Sequence, residues 1–332
     1  MIRNMIIGAL IAGAMIGTAH ARTQISIVGS STVLPFSSLV AEQYTRTMQK
    51  PSPIVESTGT GGGMKLFCKG IGPNIPDITN ASRKIKDSEK EDCASNGVTP
   101  VEVMIGYDGI VVANHKSGPA LSITREQLFM ALAKKIYVDG KWVDNTYEKW
   151  SDIDPSLPNM RIRVYGPPPT SGTRDAFIEL VFHEVCKAWG LGKKAEKSKE
   201  CNEVRIDGGY YIEAGENDNL LVQKLASDTE SFAIFGFSFL DNNKDSVQGA
   251  IIDGGQPEFE SISDGSYPIS RSLYFYVKKE HVGNIPYLRE FVEFFLSDNM
   301  IGQDGIATEK GLIPLSEVEL EKMRVNVLEQ LQ

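Results

Sequence analysis

Apolar and polar residues alternate at the two-residue period of a strand through TQISIVGS (Thr23–Ser30). The period then lengthens to that of a helix through FSSLVAEQYTRTM, with Pro35 suited to its first turn. The same change recurs. PIVEST reads as a strand before the GTGGG run and a helical MKLFCKG, and PDITNAS reads as a third strand. Ser88 and Glu91 have capping-box spacing, and Asn96-Gly97 is a stop signal. Beyond the strand GIVVANH, Thr124 and Gln127 cap a helix through REQLFMALAKK, and RIRVYG is a strand. TRDAFIELVFHEVCKAW is a long amphipathic helix, LLVQKLASDTE a further helix, and SFAIFGFSF and SLYFYVK are strands. PYLREFVEFFLSD and SEVELEKMRVNVLEQL close the chain as helices. Strand–helix alternation of this kind predicts an α/β fold with open, mainly parallel sheets flanked by helices. The length suits two such units.

The first 21 residues stand apart. Arg3 precedes an apolar run from Met5 to Ile16, and Ala19-His20-Ala21 has the small-x-small form of a signal peptidase site. Residues 1–21 are therefore expected to be a removed export signal, with cleavage near Ala21-Arg22 and a soluble exported product. Export makes disulfides plausible. Of the three pairings open to four cysteines, sequence proximity favours Cys68–Cys93 and Cys186–Cys201. Each closes a loop worth ~3 kcal/mol in the chain-entropy model. A formal net charge of −9 argues against nucleic acid, which rewards basic patches. GKKAEKSKE (Gly192–Glu200) reads as a solvated loop.

Candidate chemistry gathers where strands give way to helices. In VYGPPPTSGTRDAF three prolines stiffen the exit from a strand and present Thr170-Ser171-Gly172-Thr173 at a helix N-terminus. The first N–H groups of a helix lack internal partners and its dipole favours negative charge. Arg174 can add a bidentate contact to an oxyanion. VGSSTVLP, STGTGGGMK and NASRK place Ser30 to Thr32, Thr60 to Gly63, and Ser82-Arg83 at equivalent junctions. The carboxyl ends of strands in an open α/β sheet converge on one crevice, so the expected ligand is a small tetrahedral oxyanion. Enzymatic motifs fit worse. GTGGGMKL departs from the P-loop pattern at Met64 and Leu66, and there is no G-x-S-x-G. His115, His183 and His281 have no metal-ligand spacing, so neither a metal nor a cofactor is expected.

These motifs, in this order behind an export signal, resemble the periplasmic phosphate-binding proteins that feed the phosphate ABC importer. The likeness runs through GSSTVLPF, ESTGTGGGMK, DITNASRKIK, YDGIVVANH, PPPTSGTRDAF, FAIFGFSFL and YPISRSLYFYVKK. It implies a two-lobed type II periplasmic-binding-protein fold with two hinge crossovers, near Tyr107–Val112 and Tyr267–Arg271. Lobe 1 would be residues 22–108 and 269–332, and lobe 2 residues 109–268. It implies capture of inorganic phosphate between the lobes, delivery to membrane permease subunits, and a non-enzymatic protein expected to be a monomer. Sulfate or molybdate is the alternative ligand, and an exported phosphatase the alternative class. Carried over by position, the phosphate site comprises Thr32 and Val33, Thr60, and Ser171, Gly172 and Thr173. Two positions depart from the best-studied members. The aspartate after the third strand, which accepts the proton of phosphate, is Ser82 here, followed by Arg83. The arginine four residues before the S-G-T turn is Pro167. Arg174, with Arg83, is the expected replacement cation, as in the S-G-T-R branch. Asp108 is the preferred replacement acceptor, with Asp175 the other candidate.

Overall fold

In the computed structural model, the described residues are 22–192, 197–215 and 218–332. The expected export signal lies outside them, as does part of the lysine-rich segment. Three short parallel strands begin the fold: β1 (Ser26–Gly29), β2 (Ile54–Ser57) and β3 (Ile78–Ala81), with β1 between the other two. Helices α1 (Leu34–Met48) and α2 (Thr60–Phe67) connect them, and α3 (Asp87–Ser95) follows. Next comes β4 (Pro100–His115), much longer than GIVVANH suggests. Its first part pairs antiparallel with the return strand Ser270–Lys278, which also borders β3. Its second part pairs antiparallel with Phe232–Gly236, and the sheet continues in parallel through Val164–Gly166 to Tyr211–Glu213. One curled sheet thus has two halves, joined by β4, with parallel pairs in its outer parts and antiparallel pairs along β4 and the return strand.

Several local expectations change. The glycine run after β2 belongs to α2 rather than to a loop, with Gly59 at positive φ turning the chain into it. Gly63 lies so close to β1 that a Cβ would stand 2.6 Å from the Cα of Gly29 and 2.5 Å from Thr79 Oγ1. Helix–strand contact, as much as ligand approach, explains this glycine. Helix α3 starts one residue before Ser88, and the Lys86 N–H donates to Glu89 Oε2 at 2.9 Å, so Ser88 and Glu91 are not its cap. The strand in SFAIFGFSF ends at Gly236, and Phe237–Asn242 is helical. The Thr124–Gln127 capping box does form, with both hydrogen bonds at 3.0 Å, on α4 (Arg125–Leu132). The long amphipathic helix is Gly172–Phe177 and Glu184–Ala188 joined by a π-helical segment, Ile178–His183. Phe177, Val181 and Phe182 are buried along it, each burial worth roughly 1.5–3 kcal/mol. Both proposed bridges, Cys68–Cys93 and Cys186–Cys201, are formed.

A buried polar knot fastens one end of the first half. Asp77 is fully buried and accepts from Arg22 at 2.6 and 2.7 Å, from the Ser26 N–H at 2.8 Å, and pairs with His281 Nδ1 at 2.6 Å. Lys278 nearby donates to the Gly70 carbonyl at 2.6 Å, and burial lowers its pKa to about 8. Satisfied on every side, the Asp77 carboxylate ties the start of β1, the end of the return strand and the loop before β3 together.

Candidate functional site

Strand ends and helix starts from both halves of the sheet meet at one cleft of about 1000 Å³. The turn after β1 supplies Ser31 and Thr32, and β4 supplies Asp108 where it passes from one half to the other. Across the cleft stand Thr170, Ser171, Gly172 and Thr173. Ser171 caps its helix, its Oγ accepting from the Thr173 N–H at 3.2 Å. Gly172 faces the opposite turn, where a Cβ would lie 3.2 Å from the Ser31 carbonyl oxygen and 3.3 Å from the Thr32 Cα. Lys310 adds a cation at the rim, a residue the sequence motifs do not mark.

The expected residues are not all in the same position relative to this cleft. Thr32, Asp108, Ser171, Gly172 and Thr173 line it. Val33 is fully buried immediately before α1. Thr60 and Ser82 lie together: Thr60 Oγ1 accepts from the Ser82 N–H at 3.1 Å and is 3.1 Å from Ser82 Oγ. Arg83 makes a bidentate pair with Glu89, at 2.8 and 2.7 Å. Arg174 is buried, donates to the Pro167 carbonyl at 3.1 Å and lies 4.4 Å from the Tyr211 ring centroid. It borders a second pocket of about 640 Å³, which shares Asp175 with the cleft. Neither arginine expected to supply the cation is therefore among the cleft-lining residues.

Arg271 is the cation held among the site's polar groups. Its guanidinium donates through Nη2 to Thr32 Oγ1 at 2.6 Å and through Nε to Asp108 Oδ2 at 3.4 Å. Its Nη1 meets Glu179, on the π-helical segment of the other half. Only 9% of the Arg271 side chain is exposed, so its charge acts with little screening. Burial raises the Asp108 pKa; Arg271 opposes that shift, while Glu179 reinforces it. Sequence motifs do not mark the residue as a site group, because YPISRSLYFYVKK reads as a crossover strand. Its signal is the antiparallel register that sets Arg271 opposite Asp108, a cation within a strand otherwise fit for burial.

Chemically, the cleft offers hydroxyls, helix starts, the Lys310 ammonium and the carboxylates of Asp108, Asp175 and Glu309. Arg271 does not line it but is hydrogen-bonded to two residues that do, Thr32 and Asp108, the latter with its pKa raised by burial. Such a set suits an anion that can also donate a hydrogen bond. Among the described residues no three His, Cys, Asp or Glu side chains are grouped to hold a metal ion.

Comparison with known proteins agrees with this architecture. The PBP superfamily domain matches residues 17–299. Protein SphX of Synechococcus elongatus is 31% identical over 316 residues, covering 92% of this chain and 83% of that one. Phosphate-binding protein PstS of Staphylococcus saprophyticus is 28% identical, covering 89% and 82%. A crystal structure described as a possible phosphate binding protein from Planctomyces limnophilus superposes with a TM-score of 0.76 at 27% identity, covering 93% of this chain and 99% of that one.

Proposed function

The chain belongs to the PBP superfamily, and on that premise we propose that it is an exported solute-binding protein that captures inorganic phosphate in its cleft for an ABC-type importer. The observation that carries the proposal is the convergence of Thr32, Asp108 and Arg271 with the Ser171-Gly172-Thr173 turn from the opposite side. The resemblance of the chain to proteins named for phosphate binding supports the choice of ligand. Lobe 1 is taken as residues 22–108 and 269–332, and lobe 2 as residues 109–268, the chain crossing between them along β4 and before the return strand. An anion touching both lobes favours the closed state by its differential affinity. Closure removes water, which strengthens each donor-to-oxyanion bond. With a net charge of −9, attraction comes from the local donors and Arg271 rather than from the surface as a whole. The closed form then docks on permease subunits as a monomer and reopens.

Asp108 supplies the selectivity in this reading. Phosphate near neutral pH carries a proton to donate and sulfate does not, so sulfate would leave a carboxylate facing an anion unpaired. Competition dialysis tests both points. Wild-type protein should retain labelled phosphate against a large excess of sulfate, and Asp108→Asn should lose roughly tenfold or more of that preference, as expected for the loss of one charge-assisted hydrogen bond. An unchanged ratio in the variant would remove Asp108 as the acceptor. Displacement of phosphate by sulfate from the wild type would make the cleft a general oxyanion receptor. No covalent step is required, and turnover of a chromogenic phosphate ester would contradict a purely binding role.

A further inference from the structure

We infer that Asp175 and Glu179 form a two-carboxylate clasp that sets how far the cleft is closed, and hence how long a bound anion stays. The inference rests on the phosphate-binding reading for its ligand, but not for its geometry. Both acids lie on the helical run that begins at Gly172, four residues apart and so on one face. Both reach residues of the other half of the sheet. Asp175 Oδ2 accepts from Ser31 Oγ at 2.9 Å, and Glu179 accepts from Arg271 Nη1. Ser31 follows β1 and Arg271 lies in the return strand, so the two contacts join the second half of the sheet to two separate parts of the first.

The exposures show what kind of contact this is. The Glu179 side chain is 51% exposed and that of Arg271 is 9% exposed. One partner is fixed within the site, while the other can leave with its helix when the halves separate. A pair at such a rim is partly screened and individually weak. That suits a bias on an equilibrium rather than a permanent lock, because release of the anion requires the contacts to break. Arg271 is also tied to Thr32 and Asp108. Glu179 is thus a positioning residue: it acts on the ligand by holding the opposite side of the cleft, through a guanidinium that remains bound to its own side.

Stopped-flow release of phosphate from Glu179→Gln, with Asp175→Asn as the companion variant, is the kinetic arm of the test. The structural arm is the ligand-free distance distribution between spin-label amino acids encoded at exposed Lys65 and Lys187, measured by pulsed EPR. Each variant should release phosphate about 3- to 10-fold faster, in keeping with the loss of one weak ion pair or hydrogen bond. Each should also shift the ligand-free distances toward separation, and high salt should reproduce the Glu179→Gln shift in the wild type. Unchanged release and distances in both variants would overturn the clasp. Slower release from Glu179→Gln would overturn it too, making Glu179 a competitor of the anion for Arg271. Faster release without a distance shift would assign a direct ligand contact instead. If the wild type bound no phosphate, the distance arm alone would still decide the clasp, separately from the failure of the ligand assignment.

Discussion

Arg271→Ala is expected to weaken phosphate binding by about 100-fold or more while leaving the protein folded. Two effects act in the same direction. The substitution removes the guanidinium that is hydrogen-bonded to the cleft residues Thr32 and Asp108, and a hydrogen bond to a charged group is worth about 1.5–3 kcal/mol. It also leaves Asp108 without the cation that opposes its burial. The Asp108 pKa then rises further; whenever its carboxylate is charged, it faces the incoming anion uncompensated. Arg271→Lys keeps the charge but loses the planar fork, and should recover only part of the affinity. Arg83→Ala should change affinity little, because that guanidinium is occupied by Glu89. Titration calorimetry on the three variants, beside thermal melts to verify folding, gives the ranking. An Arg271→Ala dissociation constant within about threefold of wild type, which is well under one such bond, would exclude Arg271 as the cation of the site.

Gly172→Val should be nearly as damaging, for a steric reason. A Cβ at this position already lies 3.2 Å from the Ser31 carbonyl oxygen and 3.3 Å from the Thr32 Cα. That distance can be relieved by a slight shift, so Gly172→Ala should cost only a few-fold in affinity. The two further methyls of valine need space that the closed cleft lacks, and overpacking of this kind costs typically 1–3 kcal/mol. The closed state should be penalised by that amount, and affinity should fall roughly 10- to 100-fold. An open cleft accommodates the side chain, so the melting temperature without phosphate should change little. Wild-type affinity in Gly172→Val would mean that the Ser31–Thr32 turn and the S-G-T turn do not approach each other in the bound state.

Much of this arrangement is legible in the chain because it depends on local rules. The prolines before Thr170, the hydroxyls at the helix starts and the Thr124–Gln127 cap each involve residues close in sequence, and helix and strand periods carry the rest. Long-range register is what sequence periodicity does not carry. β4 extends from Pro100 to His115 because its two ends find different partners, the return strand and Phe232–Gly236. No property of GIVVANH alone announces that. The same register sets Arg271 opposite Asp108. Arg174 illustrates the converse: its neighbours in sequence suggest an anion contact, while its side chain turns to the Pro167 carbonyl and the Tyr211 ring. Direction along a helix decides this, and a motif does not state it. The glycines of α2 mislead similarly: the run favours a loop by propensity yet is helical, and at Gly63 alone of the three β1 leaves no space for a Cβ.

The central claim is that the cleft binds a protonated tetrahedral oxyanion, and calorimetry tests it most directly. Protein spanning residues 22–332, unfolded and refolded to strip any copurified anion, is titrated with phosphate and then with sulfate. The account predicts tight one-to-one binding of phosphate and little response to sulfate. No heat or saturation with phosphate, under conditions where the refolded protein melts cooperatively, would contradict it.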